Sequence, residues 1–140
     1  METYNLKDDL DVFGEQVKTF PSGVGDAFEH LIKMFPANDK RNYYGIAAMD
    51  KNGKMAYYAA AEETYKGEAE KYKCDRYTIE KGEYLTETLE GWQDKIRCIK
   101  DVFAKLIQDE HADKMKPGIE WYKSDKEMMC MVRTIQANKK

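Results

Sequence analysis

The sequence predicts an α+β protein of two βαββ units: two antiparallel sheet halves, each with a helix, and a ligand groove where they meet. Three observations predict this. Two stretches repeat apolar residues at helical spacing, the segments around them read as strands, and Pro or Gly punctuates the joins. The order strand, helix, strand, strand occurs twice, over about 11–63 and about 76–135, with the helices starting roughly 70 residues apart. No residue-level repeat accompanies it, so the duplication rests on order alone.

In chain order, residues 1–11 are charged and read as a loose lead-in. A strand over 11–20 carries Val12, Phe13, Val17 and Phe20, and Pro21 closes it. Ser22 offers an N-cap to a helix over 23–35, where Val24, Ala27, Phe28, Leu31, Ile32 and Phe35 share a face. Gly23 and Gly25 weaken its start and Pro36 ends it. A strand over 42–49 turns through 50–54, where Asn52-Gly53 suits a two-residue hairpin loop, into a strand over 55–63. There Tyr57, Ala59 and Ala61 face one way and Tyr58, Ala60 and Glu62 the other. The small alanines leave room for a helix or a ligand close to the sheet.

Residues 64–75, rich in Lys and Glu, read as a connection with at most a helical turn. A long β-like run over 76–89 holds Gly82 in its middle, as a bulge or a close backbone approach. Gly91 breaks it. A second helix runs from Trp92 to about Glu110 on Ile96, Ile99, Phe103, Leu106 and Ile107. Pro117-Gly118 introduces a strand over 119–123; a turn at 124–126, a last strand over 127–135 and a polar tail follow.

The 140 residues are 42% hydrophobic, 35% charged and 12% aromatic, as in a single folded domain rather than a disordered chain. A net charge of -3, with no basic block beyond Lys139-Lys140, argues against direct nucleic-acid binding. No run approaches membrane-spanning length, and the acidic first 20 residues lack a signal-peptide pattern. Cys74, Cys98 and Cys130 are odd in number and widely spaced, which suits free thiols in a reducing cytoplasm better than disulfides or zinc. The expectation is a cytoplasmic protein without metal or cofactor. His30 and His111 stand alone on predicted helices and read as surface or capping residues. No phosphate-cradling glycine loop or nucleophile elbow is present.

Chemistry concentrates in Pro117-Gly118-Ile119-Glu120-Trp121-Tyr122. On a strand, Ile119 and Trp121 point to one face and Glu120 and Tyr122 to the other, which sets a carboxylate beside a phenol. Such an acid is either a salt-bridged surface residue or the charged floor of a pocket. Two stretches bear on the choice. Tyr77-Thr78-Ile79-Glu80-Lys81-Gly82-Glu83-Tyr84 resembles the Y-x-I-x-x-G-x-Y strand of GyrI-like domains, the effector-binding domains also attached to AraC- and MerR-type regulators. Glu120-Trp121-Tyr122 resembles that family's E-x-Y strand, with 127–132 standing where its closing strand falls.

The resemblance covers nearly the whole chain. It implies a stand-alone member with a duplicated βαββ fold, a groove between the halves, and Glu120 as the acid that meets a cationic aromatic ligand. It leaves no room for a helix-turn-helix. Tyr122, Tyr58, Tyr44, Tyr84 and Trp92 are the candidate aromatic walls, since a lipophilic cation gains from both a counter-charge and ring faces. Family members also include inhibitors of partner proteins and hydrolases of reactive small molecules. Three readings therefore stand, in this order: a sensor or sequestering protein for small cationic aromatic molecules, a hydrolase using Glu120 as acid or base, and a protein-interaction module.

Overall fold

The computed structural model describes residues 1–18, 23–49, 55–124 and 126–135. The strands are β1 (Glu2–Leu6), β2 (Leu10–Gln16), β3 (Tyr43–Met49), β4 (Met55–Glu62), β5 (Asp75–Ile79), β6 (Gly82–Glu90), β7 (Gly118–Tyr122) and β8 (Glu127–Arg133). The helices are α1 (Val24–Lys33), the single turn α2 (Glu68–Lys71) and α3 (Ile96–Gln108), with a 3-10 turn at Trp92–Asp94.

All eight strands join in one antiparallel sheet, in the order β1-β6-β8-β7-β3-β4-β2-β5. The two expected halves are therefore continuous. β3 and β7 pair across the middle, with Gly45 opposite Glu120 and Ile46 opposite Ile119.

This order forces the sheet to roll up. β5 and β6 stand six strand spacings apart, about 29 Å if the sheet were flat. Yet only Glu80 and Lys81 link them, and the step from Ile79 to Gly82 spans at most about 11 Å. The 7–9 link between β1 and β2 crosses the same gap, and the Lys81 amide donates to Asp9 Oδ1 at 2.8 Å where the two links meet. Rolling buries the face without helices against itself. An apolar cluster there includes Leu6, Val12, Tyr44, Ile46, Ile79, Tyr84, Ile119 and Met131, each at most 8% exposed.

The helices cover the other face. Ile99, Val102, Phe103 and Leu106, spaced as one side of α3, pack with Leu85, Met128, Cys130 and Val132. Leu31 of α1 packs on Tyr57 and Ala59, and Ala69 of α2 on Phe13 and Ala61. The alanines of β4 thus serve close helix approach. Ile32 and Ile107, expected on the apolar helix faces, are 51% and 38% exposed. Arg41 pins the 64–71 connection: it pairs with Asp39 and the buried Glu68 at 2.8 Å each and lies 3.7 Å from the centre of the Phe35 ring.

Several expected boundaries change. The lead-in is strand β1, because Tyr4 and Leu6 alternate onto the inner face and β1 pairs with β6, Leu6 opposite Gly82. The run over 76–89 is two strands, broken at Glu80-Lys81. Gly82, with φ of 134°, opens β6 in a backbone conformation that favours glycine. The second helix begins after the 3-10 turn rather than at Trp92, and it ends at Gln108. Pro21, Ser22, the turn over 50–54, Asp125 and the tail over 136–140 lie outside the described residues. Among the described residues no helix is long and apolar enough to cross a membrane.

Candidate functional site

Glu120 sits near the middle of the sheet on the helix side, with α1 covering β4 to one side and α3 covering β8 to the other. Its neighbours across the strands are small: Gly45 on β3 and Cys130 on β8. Over it lean two phenols. Tyr57 and Tyr122 both donate to Oε1, the latter at 2.5 Å, and their hydroxyls are 3.4 Å apart. Tyr57 is 2% exposed. Gly45 makes this geometry possible, because a Cβ there would run into the Tyr57 hydroxyl and the Glu120 carboxylate.

Tyr122 stands between two further rings. Phe28 of α1 meets it edge-on at 5.2 Å and Trp92 of the 3-10 turn at 5.0 Å, while the Trp92 indole N–H donates to the Ser124 carbonyl at 3.0 Å. At the other end of β7, Phe103 of α3 lies over Gly118, where a Cβ would come within 3.0 Å of the ring. The acid thus meets Tyr57 and Tyr122 directly, while Phe28 and Trp92 pack on Tyr122, and Phe103 lies by Gly118, two residues along the same face of β7.

Electrostatically the site is unbalanced. Among the described residues no lysine, arginine or histidine forms an ion pair with Glu120. Burial raises its carboxyl above the ordinary value, against the opposing pull of the Tyr122 and Tyr57 hydrogen bonds. Burial and then the Glu120 charge push the Tyr57 and Tyr122 phenols up as well, so both stay protonated donors near neutral pH. The Cys130 thiol is pushed up to about 12, first by burial and then by Glu120, and is an inert packing group rather than a nucleophile.

Of the residues singled out from the sequence, the structure brings together Glu120, Tyr122 and Trp92. Tyr44, Tyr58 and Tyr84 stand on the opposite face: Tyr44 and Tyr84 are 3% exposed in the inner cluster, and half-buried Tyr58 packs against it. Tyr44 lies 6.2 Å from Trp121, and the Tyr84 hydroxyl donates to the Glu80 carbonyl at 2.5 Å. Sequence reasoning missed Tyr57, Gly45, Phe28 and Phe103 as site residues. Alternation put Tyr57 and Tyr58 on opposite faces, but only the register β4 to β3 to β7 says which face is Glu120's. Among the described residues, no cluster of three or more His, Cys, Asp or Glu could hold a metal.

The folded chain is similar to several solved structures. An integron cassette protein, VCH_CASS2, from the mobile metagenome of Vibrio cholerae matches with a TM-score of 0.68 at 17% identity, covering 96% of this chain and 95% of that one. SAV2435, in a structure bound to tetraphenylphosphonium, matches with a TM-score of 0.69 at 16% identity over 98% and 96%. A Staphylococcus aureus protein assigned to transcription regulation matches with a TM-score of 0.58 at 16% identity over 94% and 97%. No protein-family model matches the chain, and no curated protein matches it in sequence. Likeness at this identity shows a shared fold, and it is consistent with the GyrI-like fold.

Proposed function

We propose that this chain is a binding protein of the effector-binding, GyrI-like kind, a sensor or sequestering module whose ligand is a small, lipophilic, aromatic cation. Its site is Glu120 with Tyr57, Tyr122, Phe28, Trp92 and Phe103. The observation that carries the reading is a carboxylate buried among rings with no cationic partner among the described residues. Burying such a group costs free energy that a bound cation offsets. Each well-placed ring face adds about 0.5–2 kcal/mol of cation–π attraction. Phe28 and Trp92 both pack edge-on against Tyr122, on the face of β7 that carries Glu120. The SAV2435 structure with tetraphenylphosphonium supports the ligand class.

The mirrored strand order supports a duplicated origin. β1-β6-β8-β7 and β5-β2-β4-β3 would be equivalent sets, related by an axis between Gly45 and Glu120. In this reading the ligand groove lies where the halves join, and one half contributes the acid where the other has glycine.

The test is thermal melting with tetraphenylphosphonium and with its neutral relative triphenylphosphine oxide. A native-state ligand at a hundred times its Kd stabilises by about 2.7 kcal/mol. The expected outcome is a rise in Tm with the cation alone, lost in Glu120→Gln. Equal shifts from both compounds, or an undiminished shift in the variant, would sink the counter-charge role.

A further inference from the structure

On the helix-free side of the sheet, a cavity of about 340 Å3 opens at the seam where the roll closes, within the size range of small-molecule sites. Its walls are apolar and aromatic: Tyr77, Ile79, Tyr84 and Ile119. Its rim is charged. Lys116 Nζ and Arg133 Nη1 both approach Glu80 Oε1, at 3.0 and 2.8 Å. Arg133 Nη2 donates to the Lys81 carbonyl at 2.7 Å, and its Nε is buried without a partner. Gly82 holds this guanidinium in place by absence, since a Cβ there would come within 2.7 Å of Nη2.

Two cations thus converge on one oxygen of one acid. Arg133 is well buried, with 17% of its side chain exposed. Glu80 sits on the two-residue link between β5 and β6 and is 49% exposed, so it can exchange these two ion pairs for water. Arg133 is the best anchored of the three groups, and the Glu80 carboxylate is the most exposed and the one that exchanges.

We propose that this cavity is a second binding site, for small aromatic carboxylates. The ligand's carboxylate displaces Glu80 between Lys116 Nζ and Arg133 Nη1, and its ring enters between Tyr77 and Tyr84. Guanidinium forks favour planar two-oxygen anions, and charge-assisted bonds of this kind are the strong ones. Once Glu80 leaves, the rim carries two positive charges, the opposite preference from Glu120. The two sites lie back to back, because the adjacent residues Ile119 and Glu120 project to opposite faces of β7.

Isothermal titration with 2-naphthoate, and with the neutral 2-naphthamide as control, tests this. The expected result is one site for the acid and about tenfold or weaker binding of the amide, as loss of charge-assisted hydrogen bonds implies. Lys116→Gln and Arg133→Gln each weaken naphthoate by a similar factor. Glu80→Gln strengthens it, because the competing carboxylate is gone. Arg133 also braces the seam, so circular-dichroism melts accompany each variant and the exposed Lys116 is the deciding position. No heat with wild type up to the solubility limit, equal affinity in Lys116→Gln, or weaker binding in Glu80→Gln overturns the proposal.

Discussion

Replacing Gly45 by alanine probes the site at its tightest point. The new Cβ would lie 2.7 Å from Tyr57 Cζ and closer still to the Tyr57 hydroxyl and the Glu120 carboxylate, approaches that real side chains do not make. Relief comes in two ways. Either Tyr57 and its neighbours shift, an overpacking cost of about 1–3 kcal/mol, or the phenol leaves the acid and a buried group loses a hydrogen bond, also about 1–3 kcal/mol. Alanine restricts the unfolded chain, which returns about 0.4–1 kcal/mol. Either route, or a mixture of the two, leaves a net loss of roughly 1–2 kcal/mol, about 3–7 °C in Tm at this chain length. Urea unfolding is the assay, with an unchanged m-value expected because the surface exposed is the same. Adding Tyr57→Phe removes the hydroxyl that the methyl meets, so the double variant recovers about 1 kcal/mol relative to the sum of the singles. A Gly45→Ala protein within about 0.5 kcal/mol of wild type, or strict additivity with Tyr57→Phe, refutes the packing of Tyr57 over Glu120.

Glu120 also gives stability a pH dependence of known sign. Its folded carboxyl sits above the ordinary value of 4.5, so as pH rises through that value the unfolded chain loses its proton first and is favoured. The contribution of this group to stability therefore falls from about pH 4.5 upward until the folded carboxyl has also ionised, and Glu120→Gln lacks that contribution. The Tm of the variant relative to wild type rises with pH over that window; a flat or falling difference contradicts the burial. Removing Arg41 strands the buried Glu68: Arg41→Met costs about 3–5 kcal/mol in urea unfolding, and Glu68→Gln in that background recovers much of it.

Much of the local structure was legible because it is periodic. Leu31 on α1, and Phe103 and Leu106 on α3, fall at helical spacing and do pack inward. The period-two alternation of a strand put Glu120 beside Tyr122 with Ile119 and Trp121 behind them, whatever that strand pairs with. Gly82 announced an unusual backbone, and its positive φ is where one expected run becomes two strands. The charged residues at the N-terminus concealed β1. Its inward side chains are only Tyr4 and Leu6, and its pairing partner lies some 80 residues away, Glu2 opposite Thr86.

The sequence by itself determined which residues share a side of each helix or strand, because that depends only on the geometry of a single element. The tertiary structure alone decided which sides meet. Pairing of β3 with β7 joined all eight strands into one sheet and set Gly45 against Glu120. The register of β4 chose Tyr57 over Tyr58 as the acid's partner, and the short links at 7–9 and 80–81 rolled the far face into a core with a charged cavity at its seam. Strand register is a contact between segments distant in the chain, and a shift of one residue exchanges every side chain between faces. No local pattern of residues encodes that choice; the packing of the whole sheet makes it.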